Sequence, residues 1–177
     1  MSKGNIMQKR KPDEKGFTLI EIIVTLMLVG ITSVLAGMWI VSVAKGYVFV
    51  KMNADTVQKA QLALTRLSRE LSAITSVTAS NSTSISYTRT DAVLLSVDAS
   101  ASLNGTALQL NYNHEGNNTL TDQVNAFSLS YCTDNLTTPS CSSTWSSASK
   151  IIVVTLTLTG ANNTPTTFTR RITPRNL

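Results

Sequence analysis

One histidine and two cysteines are the whole supply of imidazole and thiol side chains in this 177-residue chain. His114 lies alone in a polar turn, and Cys132 and Cys141 stand with eight residues between them in a loop-like stretch. The scattered Asp residues show neither the pairing that acid–base catalysis needs nor a metal-ligand spacing. No enzyme, no metal site and no cofactor are therefore expected. Charge is also sparse, at 14% against 42% hydrophobic residues, a balance within the globular range that gives no sign of charge-driven disorder.

The formal charge of +5 invites a nucleic-acid partner, and its location argues against one. Five of the fifteen basic residues, Lys3, Lys9, Arg10, Lys11 and Lys15, precede the first apolar run, opposed only by Asp13 and Glu14. From Ser76 onward five basic residues meet five acidic ones. Binding a phosphate backbone takes a concentrated basic surface, which this distal part lacks, so nucleic acid is not an expected partner. Arg170, Arg171 and Arg175 are the residual basic cluster, read either as an anion contact or as a solvated strand end.

No proline interrupts Phe17 to Ser76, and from Phe17 to Ala44 the only charge is Glu21. This apolar run exceeds the ~20 residues that span a bilayer. A secretory signal peptide is the rival, with a cut after Ala36. Its apolar region is normally shorter, Val34-Leu35-Ala36 fits the small-residue rule loosely, and Glu21 suits it poorly. The run reads better as a retained membrane helix with its basic leader in the cytoplasm. Gly30, Ser33 and Gly37 give it a small face, and Trp39 faces lipid or another helix.

Beyond Lys45 the pattern becomes amphipathic: Val50, Val57, Ala60, Leu64, Leu67, Leu71 and Ile74 form one apolar stripe. Lys51, Asp55, Lys59, Arg66, Arg69 and Glu70 lie off it, facing water or a neighbour. A coiled coil would give the same stripe, but three heptads are short for one. A helix continuous to Thr75 would reach roughly 88 Å at ~1.5 Å per residue. After Ser76 the helical period is lost. Strands are expected at 84–89, 92–97, 106–113, 124–132, 150–159 and 166–172, separated by turns at Asn104-Gly105, Glu115–Asn118 and Gly160–Pro165. Alternation in 127–131 and 154–158 marks a sheet with one buried face. The stripe is the one long apolar helix surface available to cover it. The expected class is α+β, a long N-terminal helix with a membrane half and an amphipathic half, packed on one antiparallel β-sheet. With an export signal upstream, a local Cys132–Cys141 disulfide is favoured over two free thiols. Trp145 reads as a half-buried packing residue, with a sugar platform as the alternative.

Lys15-Gly16-Phe17-Thr18-Leu19-Ile20-Glu21 closely resembles the cleavage and methylation signal of type IV prepilins. The resemblance implies the pilin fold and a cut between Gly16 and Phe17 by prepilin peptidase, an inner-membrane aspartyl enzyme that then methylates the new N-terminal Phe17. Glu21 becomes the fifth mature residue, with the α-amine of a neighbouring subunit as its partner in assembly. The implied organisation is a basic leader at 1–16, a transmembrane or filament-core helix at 17–44, an amphipathic helix at 45–75 and a periplasmic β-rich domain at 76–177. The chain would cross the bacterial inner membrane once and then join a pilus or pseudopilus filament with other minor and major subunits. Major pilins usually carry Pro where this chain has Met38. Gln61–Ser72, Asp122–Tyr131, Trp145, Ile151–Leu158 and Arg170–Asn176 look instead like J-type pseudopilins and PilW-type minor pilins. The function implied is that of a minor pilin or pseudopilin at or near a filament tip, in a type IV pilus or type II secretion pseudopilus. The alternatives are a major filament subunit and an adhesive or DNA-uptake tip module.

Overall fold

The computed structural model describes residues 16–90, 96–113, 116–133 and 140–177. The leader at 1–15, His114 and the first part of the strand expected at 92–97 lie outside the described residues. The chain divides after Gly46 into two compact units. A single helix, α1 (Leu19–Ser72), contributes to both. In the first unit every described side chain, from Gly16 to Gly46, is exposed. Its polar groups are kept quiet locally. Thr25 Oγ1 donates to Ile22 O at 2.9 Å, Thr32 Oγ1 to Leu28 O at 2.9 Å and Ser33 Oγ to Val29 O at 2.7 Å, so these hydroxyls need no outside partner.

The second unit, Tyr47–Leu177, has its own core. Here α1 buries Thr56, Ala60, Ala63, Leu64, Leu67, Glu70 and Leu71, one face of a 3.6-residue period. The expected stripe holds from Ala60 to Leu71 and fails at Val50, which is 65% exposed. Glu70, expected to face water or a neighbour, is buried. The helix ends at Ser72, short of the expected Thr75. Ile74, Thr75, Val77 and Thr78 are β-branched and favour extended backbone, and the chain turns directly into a strand. Three bonds close the end: Ser72 Oγ to Ser68 O, Ala73 N to Glu70 O and Arg175 N to Ser72 O.

The expected α+β class, a long helix against antiparallel sheet, is the one observed, with the strands divided between two sheets where one was expected. The first is a meander of β1 (Ile74–Ser80), β2 (Ser84–Thr90), β3 (Ser96–Asn104), β4 (Ala107–Tyr112) and β5 (Gly116–Thr121). The second has the order β7 (Cys141–Ser142), β6 (Val124–Cys132), β8 (Ile151–Thr159) and β9 (Pro165–Ile172). β1, β5 and β7 were not expected, and β5 occupies part of what read as the turn Glu115–Asn118. Its sequence, GNNTLT, is too polar to announce a strand; pairing with β4 defines it. Backbone bonds from Val124 N to Thr106 O (2.9 Å) and Leu129 N to Ser82 O (2.7 Å) tie the two sheets together.

In β8 strict alternation buries Ile152, Val154, Leu156 and Leu158. In β6 a bulge between Val124 and Ala126 shifts the parity, so that Val124 and then Phe127, Leu129 and Tyr131 face inward. These side chains meet Leu67 and Leu71 of α1 and Ile85, Tyr87, Leu108 and Leu110 of the meander in one core. Asn53 reaches from α1 to the 3₁₀ turn Ala161–Asn163, its Oδ1 accepting from Ala161 N at 3.0 Å. A Cβ on Gly160 would stand 2.8 Å from that oxygen, so a side chain there would displace Asn53 from its bond to Ala161.

Candidate processing and assembly site

Gly16, Phe17 and Thr18 precede the helix and are non-helical. Among the described residues no atom approaches within 4 Å of a Cβ placed on Gly16, and Phe17 is 80% exposed. The Gly16–Phe17 peptide bond is therefore open backbone at the mouth of an apolar helix, the form in which a protease at a membrane surface would meet it. Thr18 caps the helix. Its carbonyl accepts from Glu21 N at 3.1 Å and Ile22 N at 3.3 Å, and its Oγ1 lies 3.4 Å from Glu21 N. Thr18-Leu19-Ile20-Glu21 has the spacing of a capping box, with a carboxylate in the first turn where the helix dipole favours it. That capping role was legible in the T-x-x-E pattern, yet the sequence reading gave Glu21 only an assembly role.

Glu21 is exposed and has no ion pair among the described residues. It is the only carboxylate between Phe17 and Ala44, in the apolar part of a helix long and apolar enough to cross a membrane. The helix runs through Met38 without a break. Gly30, Ser33 and Gly37 are exposed along it, and among the described residues no atom comes within 4 Å of a Cβ placed on either glycine.

The other residues singled out by sequence lie in the second unit, away from this motif in the chain. Cys132 and Cys141 are joined by a disulfide and pair in register across β6 and β7, with Cys132 buried and Cys141 exposed. Trp145 is half-buried, packs edge-on against Tyr131 with ring centroids 5.9 Å apart, and donates its backbone N–H to Ser80 Oγ at 2.7 Å. Its ring is committed to packing. Burial raises the Tyr131 phenol well above its ordinary value. Among the described residues no group of three His, Cys, Asp or Glu side chains is placed to hold a metal ion.

Two polar links that sequence reasoning missed fasten α1 to the sheets. Lys59 Nζ lies 2.7 Å from Asp122 Oδ1, and this hydrogen bond holds the Asp122 carboxyl below its ordinary value. Glu70 Oε2 lies 3.3 Å from Arg89 Nε in a largely buried ion pair whose geometry falls short of a hydrogen bond. Arg89 also stands over the Tyr112 ring at 5.4 Å. The buried Tyr87 hydroxyl has no hydrogen-bond partner among the described residues, and burial, then the Glu70 charge, drives its titration far upward. Neither link carries a sequence signature, because each joins residues far apart in the chain.

Comparison with known proteins matches residues 11–37 to a family model described as the prokaryotic N-terminal methylation motif. No curated protein and no solved structure matches the chain. The matched segment contains Gly16, Phe17 and Glu21, and it supports a likeness to type IV pilin-like proteins that rests on this motif.

Proposed function

We propose that this chain is a structural subunit of a type IV pilin-like filament, and more narrowly a minor pilin or pseudopilin acting at or near the filament tip. Prepilin peptidase cuts between Gly16 and Phe17 and methylates Phe17. The protein then stays in the inner membrane through 17–44, with the β-rich domain on the periplasmic side, until it joins other subunits. The carrying observation is the methylation motif set on this geometry: an open Gly–Phe bond, a capped helix start and one unpaired carboxylate in an exposed apolar helix. The unbroken helix at Met38 supports a minor over a major subunit.

Intact-mass measurement on membrane fractions tests the processing step. The expected species starts at methylated Phe17 and has 161 residues, the 177 of the precursor less the 16 of the leader. Gly16→Val should leave the full-length precursor in the membrane, because a β-branched side chain closes the backbone approach that Gly16 leaves open. A mature start at Gly37, or an uncut Met1, would overturn the assignment.

A further inference from the structure

The basic cluster near the C-terminus separates in space. β9 is an outer strand, and residue parity places Arg170 on the face it shares with Phe168 and Ile172, with Arg171 on the opposite face. Arg170 and Arg175 line a groove of about 590 Å³ together with Arg69 from the last turn of α1, beside the hydroxyls of Thr65, Ser68 and Ser72. Among the described residues no carboxylate lines this groove, and none of the three guanidiniums makes an ion pair.

Cations at a helix C-terminus ordinarily serve the terminal carbonyls. Here Glu70 O and Ser72 O accept from Ala73 N and Arg175 N, and among the described residues none of the three guanidiniums donates a hydrogen bond within the chain. Their donors are open to a group from outside the chain. Charge selects its class. A carboxylate would neutralise one of three positive charges, whereas a phosphoryl group carries about −1.5 to −2 and three acceptor oxygens suited to arginine forks. A polynucleotide would need basic residues continued along the surface, and from Ser76 on the acidic residues equal the basic ones.

We propose that the Arg69–Arg170–Arg175 groove binds a phosphoryl group, carried by a soluble phosphate or by a lipid headgroup. The test uses the full-length protein in phosphatidylcholine nanodiscs, with arginine side chains followed by nitrogen NMR. Titration with inorganic phosphate, against sodium chloride at equal ionic strength, should move the Arg69, Arg170 and Arg175 signals saturably and leave Arg171 in place. Arg69→Gln and Arg170→Gln should each weaken phosphate binding by about tenfold or more, the loss expected for charge-assisted hydrogen bonds. Arg171→Gln should bind as wild type. All three positions are exposed, and unchanged circular dichroism verifies the fold of each variant. In a second arm, nanodiscs containing phosphatidic acid replace added phosphate. The same shifts there assign a headgroup ligand, and shifts only with soluble phosphate assign a free one; either supports the site. A phosphate response no larger than that to chloride, an equal response to glutamate, or an Arg171 effect matching Arg170 would overturn it.

Discussion

Glu21 answers two demands at one position. Its backbone N–H closes the Thr18 cap, and its carboxylate is the one ionisable side chain in the apolar run from Phe17 to Ala44. A lone carboxylate inside lipid costs about 2.5–3.5 kcal/mol on insertion scales, so it persists where a cation meets it. Under the proposed cleavage after Gly16 the Phe17 amine would be such a cation, and a neighbouring subunit displaced along the axis would present its own. The carboxylate would then set the stagger between subunits more than it adds stability. Glu21→Leu keeps the cap, because Thr18 bonds the main chain of residue 21, so the variant should insert and be cleaved as wild type. Its crosslinking to co-expressed partner subunits should fall sharply. Wild-type crosslinking yields would leave Glu21 with no part in assembly.

At the scale of elements, α1 is held to the meander by burial and by one charged contact. Arg89→Met leaves Glu70 buried without its partner and should destabilise the second unit by about 3–5 kcal/mol. Replacing both, Glu70→Leu with Arg89→Met, should recover most of that loss in denaturant titrations. A double variant as unstable as Arg89→Met alone would show that packing lost at Arg89 dominates. Lys59–Asp122 is a weaker link, with side chains 42% and 60% exposed, and is worth about 0–1 kcal/mol. Because Asp122 titrates below its ordinary value in the folded state, its contribution is full above the ordinary carboxylate range and fades as pH falls through the folded value. Asp122→Asn should therefore narrow the stability gap to wild type on acidification, a trend that thermal unfolding across pH 5 to 2 would reveal.

These contacts also mark where the sequence stops being readable. β8 announces itself because Ile152, Val154, Leu156 and Leu158 alternate without interruption. In β6 the same rule holds from Phe127 to Tyr131, where the alternation was read, and the bulge at Asn125 sets Val124 off that parity. Glu70 looked like a surface charge because its partner Arg89 lies on the second strand of a meander whose first strand was not expected. Val50 continues the apolar stripe on paper, but that end of the stripe has no cover in the second unit and remains exposed. The N-terminal methylation motif was legible because its residues are contiguous. The arginine groove was legible only in part: Arg170 and Arg175 were flagged, and Arg69, from another element, was not.

The whole molecule joins two kinds of surface in one chain. The first unit has no buried side chain among its described residues, and its exposed leucines, isoleucines, valines and methionines require lipid or other helices around them. The second unit buries a core whose members all lie at or beyond Ala60. No core residue is contributed by 16–46, so the second unit should fold without the first. A fragment beginning at Lys51 omits the exposed Tyr47–Val50 stretch while retaining Asn53, whose Oδ1 holds the Ala161 turn. Made in an oxidising compartment so that Cys132 and Cys141 can join, this fragment should be soluble, monomeric and cooperative in thermal unfolding. Within it, Leu67→Ala should cost about 2–5 kcal/mol, because Leu67 is fully buried where α1 meets both sheets. The full-length protein should instead partition into membranes or require detergent. A fragment that aggregates or melts without cooperativity would show that the first unit is needed for folding as well as for anchoring.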